Sequence, residues 1–182
     1  MRKNMNRVLK FYSYEQCFVY YTKRIMSIRQ AKIRGEVIVA KPILLLAIID
    51  GIDAEVFMGN EYPLNDWMEE RYGKLMKQYM RDSQFDKPAD ISNPFWHLQS
   101  DGFWHLKYTE KPQEGVTPSK RWLKENVIQA SLDDDLWQLL QNKAWRLKLR
   151  EYIIEHKLTK DNWLGKIASE GLGSIVALLL AA

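Results

Sequence analysis

Two histidines, His97 and His105, stand eight residues apart in NPFWHLQSDGFWHLK, residues 93–107, on either side of a Ser-Asp-Gly turn signal. On a β-hairpin that spacing sets the imidazoles facing one another, and a hairpin followed by a helix is the frame on which some metal-dependent nucleases hold an ion. Such a centre needs further His, Asn or Asp ligands on the following helix. Residues 118–126 offer only Asn126, and the third histidine, His156, comes far downstream. Histidines satisfied within a packed hairpin are the simpler reading, so no metal and no cofactor is expected. Nucleophilic chemistry fares no better. Cys17 lies among apolar helical residues, where a cysteine acts as a small hydrophobe. No G-x-S-x-G, P-loop or G-x-G-x-x-G is present. The acidic runs DWMEE and LDDDL fit helix N-termini, where the dipole favours them. No catalytic residue is therefore assigned.

Binding chemistry is better supplied. In AKPILLLAIIDGI, Lys41 precedes a proline placed to start a helix, and a helix N-terminus offers free N–H groups and a positive dipole to an anion. If the loop carrying Asn93 and Pro94 reaches that point, a phosphate would meet a lysine, a helix end and an apolar wall of Pro94 and Phe95. Lys120 and Arg121, at the start of a later helix, would close the ring.

Several elements must position these groups. RVLKFYSYEQCFVYYTKRIMSIRQ has the three-and-four spacing of a long amphipathic helix. EVIVAK reads as extended chain or loop. The uninterrupted apolar run from Ile43 to Ile48 marks a helix buried on nearly every side, the centre of the core. Asn65 is set to cap the helix DWMEERYGKLMKQYM. A loop follows over residues 81–94 and delivers the chain to the aromatic hairpin. Thr117 and Pro118 then announce a short basic helix. Ser131 is set to cap a last helical stretch, which has a break near Gln141 to Lys143. The expected fold is mainly α with a small β-hairpin (α+β), a single globular helix-rich domain. Residues 1–160 would form the recognition module and residues 161–182 an apolar C-terminal helical tail.

Bulk properties agree. The chain has 182 residues, 46% hydrophobic and 27% charged, as in ordinary globular proteins. Its one cysteine excludes an intrachain disulfide and fits a reducing cytoplasm. The apolar tail SIVALLLAA is far shorter than the roughly 20 residues a membrane span requires. Net charge is +4 but uneven: residues 1–41 carry ten Lys/Arg and two acids, whereas residues 42–70 carry seven acids and no Lys/Arg. A basic N-terminal third is compatible with a face that tracks phosphates.

KPILLLAIIDGI followed by NPFWHLQSDGFWHL resembles the N-terminal module of bacterial HNH restriction endonucleases, which pair a K/R-P-[IL]-L-L-L-A helix with a P-F-x-H-L-x-S-D-G-F-W hairpin. That module is related to the sulfur-binding domain of restriction enzymes that recognise phosphorothioated DNA, in which sulfur replaces a non-bridging phosphate oxygen. The resemblance implies a pocket in which Lys41 is the basic residue before the helix proline, and Asn93 and Pro94 stand where the family has Tyr-Pro. Ala40 stands where the sulfur readers have histidine. A later basic residue corresponds to Lys120 or Arg121. No histidine follows Thr159, so an HNH motif is absent and cleavage would belong to a nuclease elsewhere.

The leading expectation is thus a cytoplasmic module of a restriction or defence system that binds double-stranded DNA. Phosphate contacts would come from Arg24, Arg29, Lys32, Arg34, Lys41, Lys120 and Arg121, with a separate nuclease subunit or a second copy as partner. Two alternatives stand beside it: a metal-dependent nuclease using His97 and His105, and a protein-interaction subunit docking through its tail.

Overall fold

The computed structural model describes residues 10–34, 36–80 and 89–158. The tail, the first nine residues and most of the expected loop lie outside these, and so do the expectations placed on them. Helix α1 spans Tyr14–Met26, shorter than its periodicity suggests, because Ser13 stops it by accepting from the Gln16 N–H. Its inner stripe is Cys17, Tyr21 and Ile25. A two-residue hairpin follows, β1 (Lys32–Ile33) against β2 (Glu36–Val37). Arg34 turns it at φ 50°, the left-handed region that tight hairpins require.

Helix α2 (Ala40–Asp53) is the core, as its composition demands: Ile43, Leu44, Leu46, Ala47 and Ile48 expose nothing. It begins two residues before Pro42. Proline is still accommodated there, because no N–H in a first turn has an intrahelical partner. Helix α3 (Asp66–Tyr79) starts where Asn65 accepts from the Met68 N–H, and it packs along α2 through Met68, Tyr72, Leu75 and Met76.

The aromatic segment is built otherwise than expected. Residues 93–97 form no strand; they belong to helix α4 (Ser92–His97), continued by a 3-10 turn, Leu98–Asp101. Asp90 organises its start by accepting from the Ser92 N–H at 2.9 Å, and Pro94 again occupies a first turn, where its missing donor costs nothing. Ile91, Phe95 and Leu98 recur at helical spacing and are buried. Gly102 ends the turn at φ 80°, a conformation that favours glycine, and a Cβ there would displace the end of the Arg24 side chain, whose Nη1 would lie 2.6 Å away.

Strand β3 (Trp104–Tyr108) pairs antiparallel with a distant partner, β4 (Val127–Leu132), with Trp104 opposite Leu132 and a register shift between Lys107 and Tyr108. Between them, helix α5 (Lys120–Asn126) is capped by Ser119 rather than Thr117. Ser131 is likewise a strand residue opposite His105, and Asp133 precedes helix α6 (Asp134–Gln141). The expected break is present: Asn142 accepts from the N–H groups of Ala144 and Trp145 and starts α7 (Lys143–Ile153), which runs into a wider turn, Ile154–Leu158. The fold is α+β, dominated by helices. No helix among the described residues is long and apolar enough to cross a membrane.

The rings of residues 93–107 divide by function in this frame. Phe95, Phe103 and Trp104 fill the core, with Phe95 edge-on to Trp104 and the Trp104 indole donating to the Phe95 carbonyl at 2.8 Å. Trp96 is half-buried against Tyr108 and Trp122. The two histidines remain exposed.

Candidate nucleic-acid interface

The β1–β2 hairpin, the first turn of α2 and the outer face of α4 enclose an open cleft of about 430 Å³. Its walls are largely hydrocarbon: Ala31, Ile33, Ile38, Ala40, Ala89 and Pro94. Arg29, Lys41 and His97 bring nitrogen groups to it, and Gln30, Asn93 and Ser100 complete the rim. The α2 N-terminus has no side-chain cap; Pro42 has no N–H and the Ile43 N–H donates to the Val39 carbonyl, which leaves the N–H groups of Ala40 and Lys41 at the positive end of a fourteen-residue helix. Lys41 is held in place by donating to Asp101 Oδ2 at 2.7 Å, with Ser100 Oγ at 3.4 Å.

Lys41, Asn93 and Pro94 therefore converge, although they are some fifty residues apart in sequence. Lys32 and Arg34 are exposed on the hairpin on either side of Ile33, and neither lines the cleft. Arg24 is engaged elsewhere: its guanidinium lies over the Tyr20 ring, and Nη1 donates to the Asp101 carbonyl at 3.2 Å.

Three expectations need correction. Phe95 cannot form part of the wall, because its ring is wholly within the core. Lys120 and Arg121 do not close a ring around the cleft, and neither lines it. Lys120 instead donates to Glu69 at 2.8 Å and lies 3.6 Å from Asp90, and the hydrogen bond to Glu69 raises its pKa above the ordinary lysine value. Arg121 pairs along α5 with Glu125 at 2.8 Å.

The histidine pair also fails as a metal frame, because the hairpin it needs does not exist. His97 sits on α4 and hydrogen-bonds with Thr117 Oγ1 at 2.6 Å, whereas His105 sits on β3 and meets Asp133 Oδ1 at 2.6 Å. Among the described residues no three His, Cys, Asp or Glu side chains gather as a metal site would require. His97 belongs to the cleft, a role sequence reasoning missed. Of the apolar wall only Pro94 was foreseen; the part supplied by Ala31, Ile33 and Ile38 was missed, and the alternation of Ala31 and Ile33 with Lys32 was its signal.

The family model of ScoMcrA-like DNA sulfur-binding domains matches residues 20–162, a span that includes α2, the cleft and both strands of the larger sheet. The chain belongs to this family. Among solved structures, it is similar to the sulfur-binding domain of ScoMcrA complexed with phosphorothioated DNA, at 18% identity and a TM-score of 0.55, over 78% of this chain and 91% of that one. The sulfur-binding domain of SprMcrA complexed with phosphorothioated DNA is similar at 17% identity and a TM-score of 0.57, over 88% and 97%. At such identities the likeness is one of fold. No curated protein matches the chain.

Proposed function

We propose that this sulfur-binding domain reads the DNA backbone in the cleft between the β1–β2 hairpin, α2 and α4, and takes a phosphorothioate linkage there in preference to phosphate. The observation that carries the reading is the meeting of a hydrocarbon wall with an uncapped helix N-terminus and the Lys41 ammonium. An anionic linkage needs the N–H groups and the cation. Sulfur is larger and more polarizable than oxygen and accepts hydrogen bonds more weakly, so hydrocarbon against it forfeits less hydration than it would against oxygen. Pro94, Ala40 and Ile38 supply such a surface.

The complexes of the two similar domains with phosphorothioated DNA support this choice of ligand. Ala40 and Asn93, which stand where the resemblance leads one to expect histidine and tyrosine, leave the wall with fewer rings, and His97 is the imidazole that reaches the cleft instead. Arg29, Lys32 and Arg34 serve the flanking phosphates and fix register without reading sequence. Cleavage is assigned to an HNH nuclease elsewhere in the system, and a DNA ligand together with the free thiol of Cys17 supports a cytoplasmic location.

Fluorescence anisotropy with two duplexes that differ only by one phosphorothioate tests the reading. Tighter binding of the modified duplex is expected, with both affinities falling steeply as salt rises. Binding to neither duplex at about 50 mM salt overturns the reading, since backbone contacts are strong there. Equal binding leaves a backbone reader without sulfur preference.

A further inference from the structure

Asp101 stands behind the cleft's lysine. Its Oδ2 accepts from Lys41 Nζ at 2.7 Å and its Oδ1 accepts the Arg29 backbone N–H at 3.4 Å. Both partners of the ion pair are sheltered, Lys41 with 13% of its side chain exposed and Asp101 with 6%. Two further cations lie near the same residue. Arg24 holds the Asp101 carbonyl, and Lys157, whose ammonium burial keeps below the ordinary lysine range, is close enough for Asp101 to pull it the other way.

A lysine already matched by a carboxylate offers an incoming anion much less than a free one, because the two fields largely cancel a few ångströms away. The loss falls unequally on the two linkages. A phosphate oxygen is strongly hydrated, and to leave water it needs the ammonium and the N–H groups to replace that hydration. Sulfur draws more of its gain from the hydrocarbon of Ile33, Ile38 and Pro94, which the charge of Asp101 does not alter.

We propose that Asp101 sets the selectivity of the cleft: by partly neutralising Lys41 it weakens binding of an unmodified phosphate more than binding of a phosphorothioate, an inference that rests on the DNA reading above. Asp101 acts through Lys41 and need not touch the ligand. Asparagine at this position keeps an oxygen for the Lys41 ammonium and the Arg29 N–H while removing the charge.

The test measures both duplexes over a salt series with wild type, Asp101→Asn, Lys41→Met and the double variant, each with its melting temperature. Asp101→Asn is expected to bind the plain duplex about tenfold more tightly, the scale of one unit charge removed from beside an anion at a protein surface. The modified duplex should gain no more than about threefold, so preference falls about threefold, and the salt dependence of plain-duplex binding should steepen by about 0.9 as Lys41 displaces one more counterion. In the Lys41→Met background the same change should leave the preference unaltered. A merely structural Asp101 would instead weaken both duplexes by one factor and lower the melting temperature, and that result overturns the inference. Should Asp101→Asn not fold, Asp101→Ser removes the charge with a smaller side chain and is read the same way. Wild type without any preference overturns the sulfur reading and this inference together. Wild-type preference retained in full by Asp101→Asn overturns this inference alone.

Discussion

Ile33 allows the hydrocarbon wall to be tested without disturbing the core. It sits in β1 with 47% of its surface exposed, facing the cleft. Fully burying an isoleucine is worth about 1.5–3 kcal/mol, so the exposed half holds about 0.7–1.4 kcal/mol that only a bound ligand can collect. Ile33→Thr keeps the β-branch that suits a strand and one of the methyl groups. The expected loss is about 1 kcal/mol, a factor of about five in Kd for the phosphorothioated duplex. The plain duplex, whose oxygen gains little from hydrocarbon, should weaken less than about twofold. Anisotropy at about 150 mM salt, where exposed charges are well screened, isolates this contribution. Folding stability, followed by urea denaturation, should stay within about 0.5 kcal/mol of wild type. An unchanged Kd for the modified duplex in a folded variant, or equal weakening of both duplexes, refutes the apolar-wall argument.

Three further outcomes concern the scaffold. Asp50 lies between two guanidinium groups, accepting from Arg71 Nε at 2.7 Å and Arg150 Nε at 2.8 Å with its own side chain 12% exposed. Asp50→Asn leaves those cations facing one another. Discounted for the partial exposure of both arginines, the cost should be about 2 kcal/mol, visible as a fall of about 4–8 °C in Tm with DNA preference intact. Burial pushes the Glu69 carboxyl up, but hydrogen bonds from Lys120 and Lys124 outweigh it and hold the folded pKa below the usual value. The stabilisation is therefore present above the unfolded pKa of about 4.3 and lost as pH falls through the lower folded value. Glu69→Gln should flatten the acid limb of a stability-against-pH curve, and an unchanged limb would count against the triad. Burial, and then the charge of Asp135, push the Cys17 thiol up to about 12. A thiol reagent at about pH 8 should label native protein far more slowly than protein unfolded in urea; equal rates would show that the α1 stripe is open.

Much of this fold could be read from local sequence, and the misreadings share a cause. The apolar run of α2, the Asn65 cap and the break at Asn142 are each decided within one or two helical turns, and each is found in place. The partner of β3 is not a local matter. Trp104 pairs with Leu132 across an excursion that includes α5, so the ring-rich segment invited a hairpin with its own neighbours. Asn-Pro at residues 93–94 is a turn signal, yet Ile91, Phe95 and Leu98 carry the i, i+4, i+7 spacing of a buried helical stripe. Weighing that spacing against the turn signal identifies α4. The charge of Lys120 could be read in sequence, but its cancellation by Glu69, 51 positions away, could not.

The same helix assigns packing and recognition to different faces. Phe95 and Leu98 on α4 and its 3-10 extension are wholly buried, locked by the Phe95–Trp104 contact and the indole hydrogen bond. Asn93, His97 and Ser100, again at i, i+4 and i+7, form the opposite stripe, exposed and lining the cleft. Substitution on the inner stripe costs several kcal/mol in lost packing, whereas substitution on the outer stripe is nearly free for folding and is registered only by the ligand. An element six residues long plus one turn thus separates stability from recognition onto two faces. That separation leaves Asn93 free to be exchanged at the rim of the cleft while the rings beneath it stay fixed by packing.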